Sequence, residues 1–287
     1  MLGNIKLPNI LNNFFIGFMV VSNIFDRKLL KRNRDLASIN FSECDFLFKE
    51  VAKRIIERVE DLKGDFTNIL EIGARNGFLG KEIKTLKNSK LLIQTDSSPL
   101  FVKNYSLENG VVLDEENLNF SDASFDLIVS NLNLHFVNDV LQHLVEIKKL
   151  LKPNGVLIAS FFGGETLRQL REVLLEVEQK KYNGISPRIA LFAHVKDAGM
   201  LIQRAGFKDA VADSEIINVV YSDFFKLLKD IKNMGEGNIM YERSKKFVGK
   251  DFFSEAKKLY LQNNGLENDG EIEANFEIIT VIGWQQN

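Results

Sequence analysis

The chain has 287 residues, 45% of them apolar, and its 37 lysines and arginines stand against 39 aspartates and glutamates, a net charge of −2. That length holds one large α/β domain or two small ones with a sizeable core, and the balanced charge gives no general reason to expect nucleic acid or a membrane surface as partner. Its single cysteine, Cys44, excludes an intramolecular disulfide and a cysteine metal cluster and fits a reducing, cytoplasmic setting.

Residues 1–24 form an N-terminal extension with an apolar run, Phe14-Phe15-Ile16-Gly17-Phe18-Met19-Val20-Val21. The run is too short to span a bilayer and lacks the basic flank and small-residue cleavage site of a signal peptide. It reads either as a short helix docked on the core or as residues before an internal start at Met19. Residues 25–63 read as two helices. The first carries a basic cluster, Arg27, Lys28, Lys31, Arg32 and Arg34, interleaved with Leu29, Leu30 and Leu36. Such a cluster is a solvated helix face, or else a helix that closes over a cofactor or grips an acidic partner. The second has Phe46, Leu47, Val51, Ile55 and Val59 at the spacing of a one-sided core face.

Residues 69–80 then change character. Ile69-Leu70-Glu71-Ile72 is a short strand, Gly73 to Gly77 a turn, and Phe78, Leu79 and Ile83 start a helix. A strand, a glycine turn and a helix N-terminus form a ligand cradle at the carboxyl edge of a parallel sheet. A dinucleotide cradle requires G-x-G-x-x-G, but Arg75 and Phe78 stand where two of its glycines belong. Glu71 would also repel a pyrophosphate. A carboxylate there suits a ligand with a cationic end and no phosphate, such as S-adenosylmethionine.

Further strands are expected at 90–95, 110–113, 125–131 and 155–162, with helices at 78–87, 99–107 and 139–151. The alternation predicts βαβ units around a parallel sheet. Asp96 ends the second strand, about 20 residues beyond the glycine turn, where an acidic residue takes ribose hydroxyls. Asp96-Ser97-Ser98-Pro99 is equally a helix start. Asp114 and Glu115 follow the third strand, as an adenine-amino acceptor or as a solvated acidic loop. Ser130 and Asn131 end the fourth strand, with His135 shortly beyond.

These four edge segments resemble, in type and order, the class I S-adenosylmethionine-dependent methyltransferases. Later segments narrow the resemblance: Phe162-Gly163-Gly164-Glu165-Thr166, Ser186-Pro187-Arg188, Met234-Gly235-Glu236-x-Asn238, and Ala274-x-Phe276 through Trp284. They resemble the methyltransferase-like assembly factors of respiratory complex I and the related malonyl carrier-protein O-methyltransferases of biotin synthesis. Arg75 departs from the family's middle glycine, and Asn119 from its usual proline.

The resemblance implies a Rossmann-like, seven-stranded sheet with helices on both faces. The last strand, about 275–283, is expected antiparallel and inside the edge. A domain of residues 25–287 is expected to carry lid insertions at 164–200 and 222–265. The implied cofactor set is Glu71, Gly73, Ala74, Gly77, Asp96, Ser97, Asp114, Glu115, Ser130 and Asn131. His135 is the general-base candidate, with Tyr221 as the second catalytic candidate. Tyr182, Arg188 and Phe192 are substrate candidates, Arg188 as a partner for a carboxylate.

The implied function is methyl transfer to a protein side chain or carrier-linked carboxylate, without nucleic acid or a membrane span. The alternatives are an assembly factor that binds the cofactor, or an arginine hydroxylase acting on a complex I iron–sulfur subunit. The cellular setting is cytoplasmic or peripheral at the inner membrane. His135, Asp139 and His143 have helical spacing for a metal triad, but Asn138-Asp139 reads as an N-cap that leaves His135 outside the helix. No metal is therefore assigned.

Overall fold

Strands β1 (Asn68–Ile72), β2 (Leu91–Asp96), β4 (Phe125–Ser130) and β5 (Leu151–Phe162) carry near-continuous apolar runs. Such runs suit strands covered on both faces, and the four lie parallel in the middle of one sheet. The computed structural model describes residues 23–190, 192–246, 248–266 and 270–286. The apolar run 14–21 lies outside the described residues. With β3 (Val111–Val112), β6 (Lys208–Tyr221) and β7 (Ile272–Trp284), the sheet has seven strands in the order β3-β2-β1-β4-β5-β7-β6.

β7 runs antiparallel between β5 and β6, as expected, and is buried along most of its length. The order reverses direction at β1, so a crevice opens at the carboxyl ends of β1 and β4.

Helices cover both faces. Alternate strand residues point to opposite sides. Ile69, Leu127, Val129, Val156 and Ile158 therefore meet α2 (Phe46–Asp61), α3 (Phe78–Lys87), α6 (Arg168–Tyr182) and α9 (Lys250–Asn264). Leu70, Ile72, Ile128, Leu157 and Ala159 meet α5 (Val140–Leu150) and α7 (Val195–Arg204). α1 (Arg27–Ala37) lies outside these layers, against α4 (Pro99–Asn104) and α8 (Phe224–Asn233).

Several bounds differ from the sequence expectation. The helix expected at 99–107 stops at Asn104, because Ser106 and Asn109 turn through left-handed backbone at φ 48° and 43°. The strand expected at 110–113 shrinks to Val111–Val112 at the exposed sheet edge. β5 begins at Leu151 rather than 155, pairing first with Phe125 across an irregularity. Ahead of the second insertion the residues suggest a strand near 215–221, but β6 starts at Lys208, because it pairs along nearly all of β7. Among the described residues no helix is long and apolar enough to cross a membrane.

Candidate functional site

The turn after β1 is built by two glycines and an arginine. Gly73 has φ +71°, and a Cβ there would sit 2.5 Å from the Asn133 side chain. Gly77, at φ +69°, precedes α3, and its missing Cβ leaves room for Gln94 and Leu107. Between them Arg75 holds φ +52°, a conformation that costs a non-glycine residue about 1–3 kcal/mol.

Its bonds explain why it stays. The Arg75 N–H donates to Asp96 Oδ2 (3.1 Å), Nη1 to the Met234 carbonyl (3.1 Å) and Nη2 to Glu236 Oε1 (2.7 Å). The guanidinium also lies over the Phe48 ring at 5.2 Å. At the place of the missing glycine stands a buried cation held through its backbone N–H and both Nη atoms.

Glu71 points beneath α3. It accepts from Gln94 Nε2 (2.6 Å) and the Gly80 N–H (3.1 Å). Burial pushes its carboxyl up to about 7, and those two bonds offset only part of the effect.

Asp96 and Glu115 are both buried. Asp96 accepts from the Ser98 N–H (2.8 Å) and the Arg75 N–H (3.1 Å), and Arg34 Nη1 lies 3.7 Å away. Glu115 pairs with both Arg34 and Arg27. Burial works against its charge, but the two guanidiniums outweigh it and bring the carboxyl down to about 2. Arg27 also pairs with the more exposed Asp114 at 2.6 Å.

Arg34 further donates to Ser97 Oγ (2.9 Å) and to Asn133 Oδ1. The basic cluster of α1 therefore divides. Lys28, Lys31 and Arg32 face solvent, while Arg27 and Arg34 turn inward onto the acidic edge. Arg34 stands among Asp96, Ser97 and Glu115, three residues of the expected cofactor set.

The remaining edge residues tie elements together. The Ala74 N–H donates to the Thr95 carbonyl (2.8 Å) and Ser130 Oγ to the Ile72 carbonyl (3.0 Å). Asn131 donates to the Phe48 carbonyl (2.8 Å) and accepts from Ser160 Oγ (3.0 Å). A cleft with about 250 Å³ of empty space opens beside Phe48, Glu71, Gly73, Ala74, Arg75 and Asn131.

His135 sits in a short turn after β4, with Nε2 2.8 Å from Glu236 Oε2. Its ring packs against Phe136, Phe162 and Phe192, with centroids 4.4, 4.8 and 5.3 Å away. His135 also lines a second, apolar cleft of about 650 Å³ with Phe25, Phe161 and Phe192. Buried nitrogens at this edge with no hydrogen-bond partner among the described residues include Arg27 Nε, Arg34 Nε, Arg75 Nε, Asn133 Nδ2 and His135 Nδ1.

Of the substrate candidates, Phe192 joins the His135 ring cluster. Arg188 instead pairs with Glu178 (2.7 Å), its guanidinium 5.0 Å from the Phe252 ring. Tyr182 is half exposed and stacks on the same Phe252 at 6.2 Å. Both thus link α6 to α9. Tyr221 lies in the core layer of Phe224 and Tyr260, and its buried hydroxyl has no partner among the described residues.

Asp139 caps α5 by accepting from the Gln142 N–H (2.9 Å), which leaves His135 outside that helix. Among the described residues no three His, Cys, Asp or Glu side chains gather as a group that could hold a metal ion.

The sequence expectation omitted Arg34, Arg75, Asn133 and Glu236 from the site. Two left a trace: Arg75 stands where a glycine belongs, and Glu236 sits in the distinctive Met-Gly-Glu segment. Arg34 was one of five cations on a helix, and the residues alone did not show which turned inward.

Comparison with known proteins bears on the same edge. The family model described as "Methyltransferase domain" matches residues 70–159, from β1 into β5. The mitochondrial arginine-hydroxylase NDUFAF5 of Mus musculus is 38% identical over 270 residues, covering 92% of this chain and 78% of the relative. The malonyl-[acyl-carrier protein] O-methyltransferase of Methylovorus sp. is 25% identical over 275 residues, covering 91% and 90%. In fold, the chain is similar to a putative methyltransferase of Bacillus halodurans, with a TM-score of 0.58 at 15% identity, covering 83% of this chain and 100% of that one. The chain belongs to the S-adenosylmethionine-dependent methyltransferase family, in the group that includes the arginine-hydroxylases NDUFAF5.

Proposed function

We propose that the protein holds S-adenosylmethionine at the carboxyl edge of β1, β2 and β4 and transfers its methyl group to a protein side chain or a carrier-linked carboxylate. The observation that carries this reading is the joint geometry of the glycine turn and the buried carboxylate of Asp96. Gly73 and Glu71 border the cleft, and Gly77 lets the turn close onto Gln94 and Leu107. The unpartnered nitrogens of the edge suit a polar ligand. The cofactor supplies an electrophilic methyl group when bound.

Glu71 and the Gly73–Gly77 turn would hold its cationic methionine end, with Ala74, Ser130 and Asn131 shaping the wall. Asp96 and Ser97 would take the ribose, and Asp114 and Glu115 the adenine amino group. Each carboxylate oxygen has two lone pairs, so Asp96 keeps acceptor capacity beyond its two present bonds. His135 is the base for an N–H or O–H acceptor, with Phe192 beside it. The catalytic domain is read as residues 25–287, with insertions 164–200 and 222–265 closing the substrate side. The packing of α6 on α9, one from each insertion, supports that pairing. Arg188 and Tyr182, at the α6–α9 contact, and Tyr221, at the end of β6, act there on the substrate side through the lid's shape.

A second reading is favoured by one observation, the 38% identity to an arginine-hydroxylase over nearly the whole chain. In that reading the substrate is an arginine of a protein, a complex I iron–sulfur subunit in the resemblance drawn from sequence, met in the cytoplasm or at the inner-membrane surface. Incubating the protein with S-adenosylmethionine and the candidate subunit, in the presence of dioxygen and a two-electron reductant, then weighing the products, separates the two. A methylene increment with S-adenosylhomocysteine released supports methyl transfer. An oxygen increment on arginine replaces it with hydroxylation.

A further inference from the structure

We infer that Glu236 is a positioning residue that fixes His135 as a base at Nδ1 and ties it to the cofactor turn through Arg75. The inference rests on the reading of His135 as the base. Glu236 follows α8 in the second insertion, just after Gly235, which takes φ +79°. A Cβ at Gly235 would lie 3.2 Å from Arg75 Nη1 and 3.3 Å from the Ala37 Cβ, so this turn presses closely on the site.

From there the two oxygens of one carboxylate diverge. Oε1 accepts from Arg75 Nη2 at 2.7 Å, and Oε2 meets His135 Nε2 at 2.8 Å. Arg75 belongs to the turn after β1, and His135 to the turn after β4. A single side chain of the insertion therefore joins both halves of the site.

The proton's position follows from charge. Burial disfavours the Glu236 carboxylate, but the hydrogen bond with His135 and the Arg75 and Arg34 guanidiniums hold its pKa below the usual range. An ionised carboxylate only accepts hydrogen bonds, so His135 Nε2 carries the hydrogen. Burial lowers the His135 pKa, and Arg75 and Arg34 add to that, against the pull of Glu236. The ring is then neutral at neutral pH with its lone pair on Nδ1. Nδ1 is the ring nitrogen without a hydrogen-bond partner among the described residues.

Phe136, Phe162 and Phe192 pack around the ring and fix its plane. When an acceptor N–H or O–H gives its proton to Nδ1, the imidazolium that forms is balanced by the Glu236 carboxylate at the opposite nitrogen. This is the arrangement in which a carboxylate sets a histidine's tautomer and supports its charged form.

Nitrogen-15 NMR of the full chain tests this without any substrate. The chain has three histidines, so a His135→Gln variant assigns the signal. The expected wild-type spectrum at neutral pH shows His135 protonated at Nε2 and bare at Nδ1. In Glu236→Gln the amide can donate instead of accept. The tautomer should then shift toward Nδ1–H, and the titration midpoint should fall by roughly one pH unit. Glu236→Asp should restore part of both. A wild-type ring protonated at Nδ1, or a Glu236→Gln spectrum unchanged from wild type, overturns the inference. Should Glu236→Gln not fold, the wild-type tautomer alone decides. Calorimetry with S-adenosylmethionine on the same wild-type sample separates this result from the methyl-transfer reading. The predicted tautomer without cofactor binding overturns that reading and leaves the role of Glu236 on His135 standing.

Discussion

Glu71 shows how one residue's chemistry is set by its position. A carboxyl at the end of a covered strand loses its water, and two hydrogen bonds do not compensate. Its folded pKa, about 7, lies above the unfolded value of about 4.3. A raised pKa means that the protonated fold is favoured. The stabilisation is therefore fully present below about pH 4 and lost as pH rises through about 7. Glu71→Gln removes this dependence. Urea denaturation should show wild type losing roughly 3 kcal/mol relative to Glu71→Gln between about pH 4 and pH 8. Parallel stability curves for the two proteins would contradict the burial argument. The residue was legible in the sequence as a strand-terminal carboxylate beside a glycine turn. Its partner Gln94 was not, because the pairing depends on which face of β2 meets α3.

At the scale of elements, α1 is the least expected feature. Its five cations read equally well as a solvated face or as a grip on acid. The structure does both, because Arg27 and Arg34 lie seven positions apart, two helical turns on one face. Arg34 is fully buried against Glu115. Removing one member of a buried pair leaves the other charge uncompensated, at a cost of about 3–5 kcal/mol. Arg34→Ala should lose about that much stability in chemical denaturation. Adding Glu115→Gln should recover part of the loss. A cost below about 1 kcal/mol would show that the pair does not hold α1 on the edge.

The strands were more legible than α1, since covered strands announce themselves as apolar runs. β3 was overestimated because an exposed edge needs little apolar pattern. β6 was underestimated because its alternating exposed residues hide a length set by β7.

Across the whole molecule, the site depends on a sheet closed by its last strand. β7 lies between β5 and β6, pairs with both and contributes Phe276, Ile278, Ile279 and Val281 to the two core layers. A chain ending at residue 271 should therefore fail to fold, which circular dichroism and thermal denaturation would show as the loss of a cooperative transition. A cooperative melt in that truncation would mean that the β1–β5 unit stands alone. The order of edge segments along the chain made the family and the carboxyl edge of the sheet readable. The contacts that join insertion to edge, Glu236 above all, required the tertiary fold.

The central claim is that this edge binds S-adenosylmethionine through Asp96, and titration calorimetry tests it most directly. The wild-type protein should bind S-adenosylmethionine and show no comparable affinity for NAD. Asp96→Ala, confirmed folded by its thermal transition, should lose roughly 2–4 kcal/mol of binding free energy, at about 1–2 kcal/mol for each of two hydrogen bonds. Unchanged affinity in Asp96→Ala, or NAD binding as tight as S-adenosylmethionine, would contradict it.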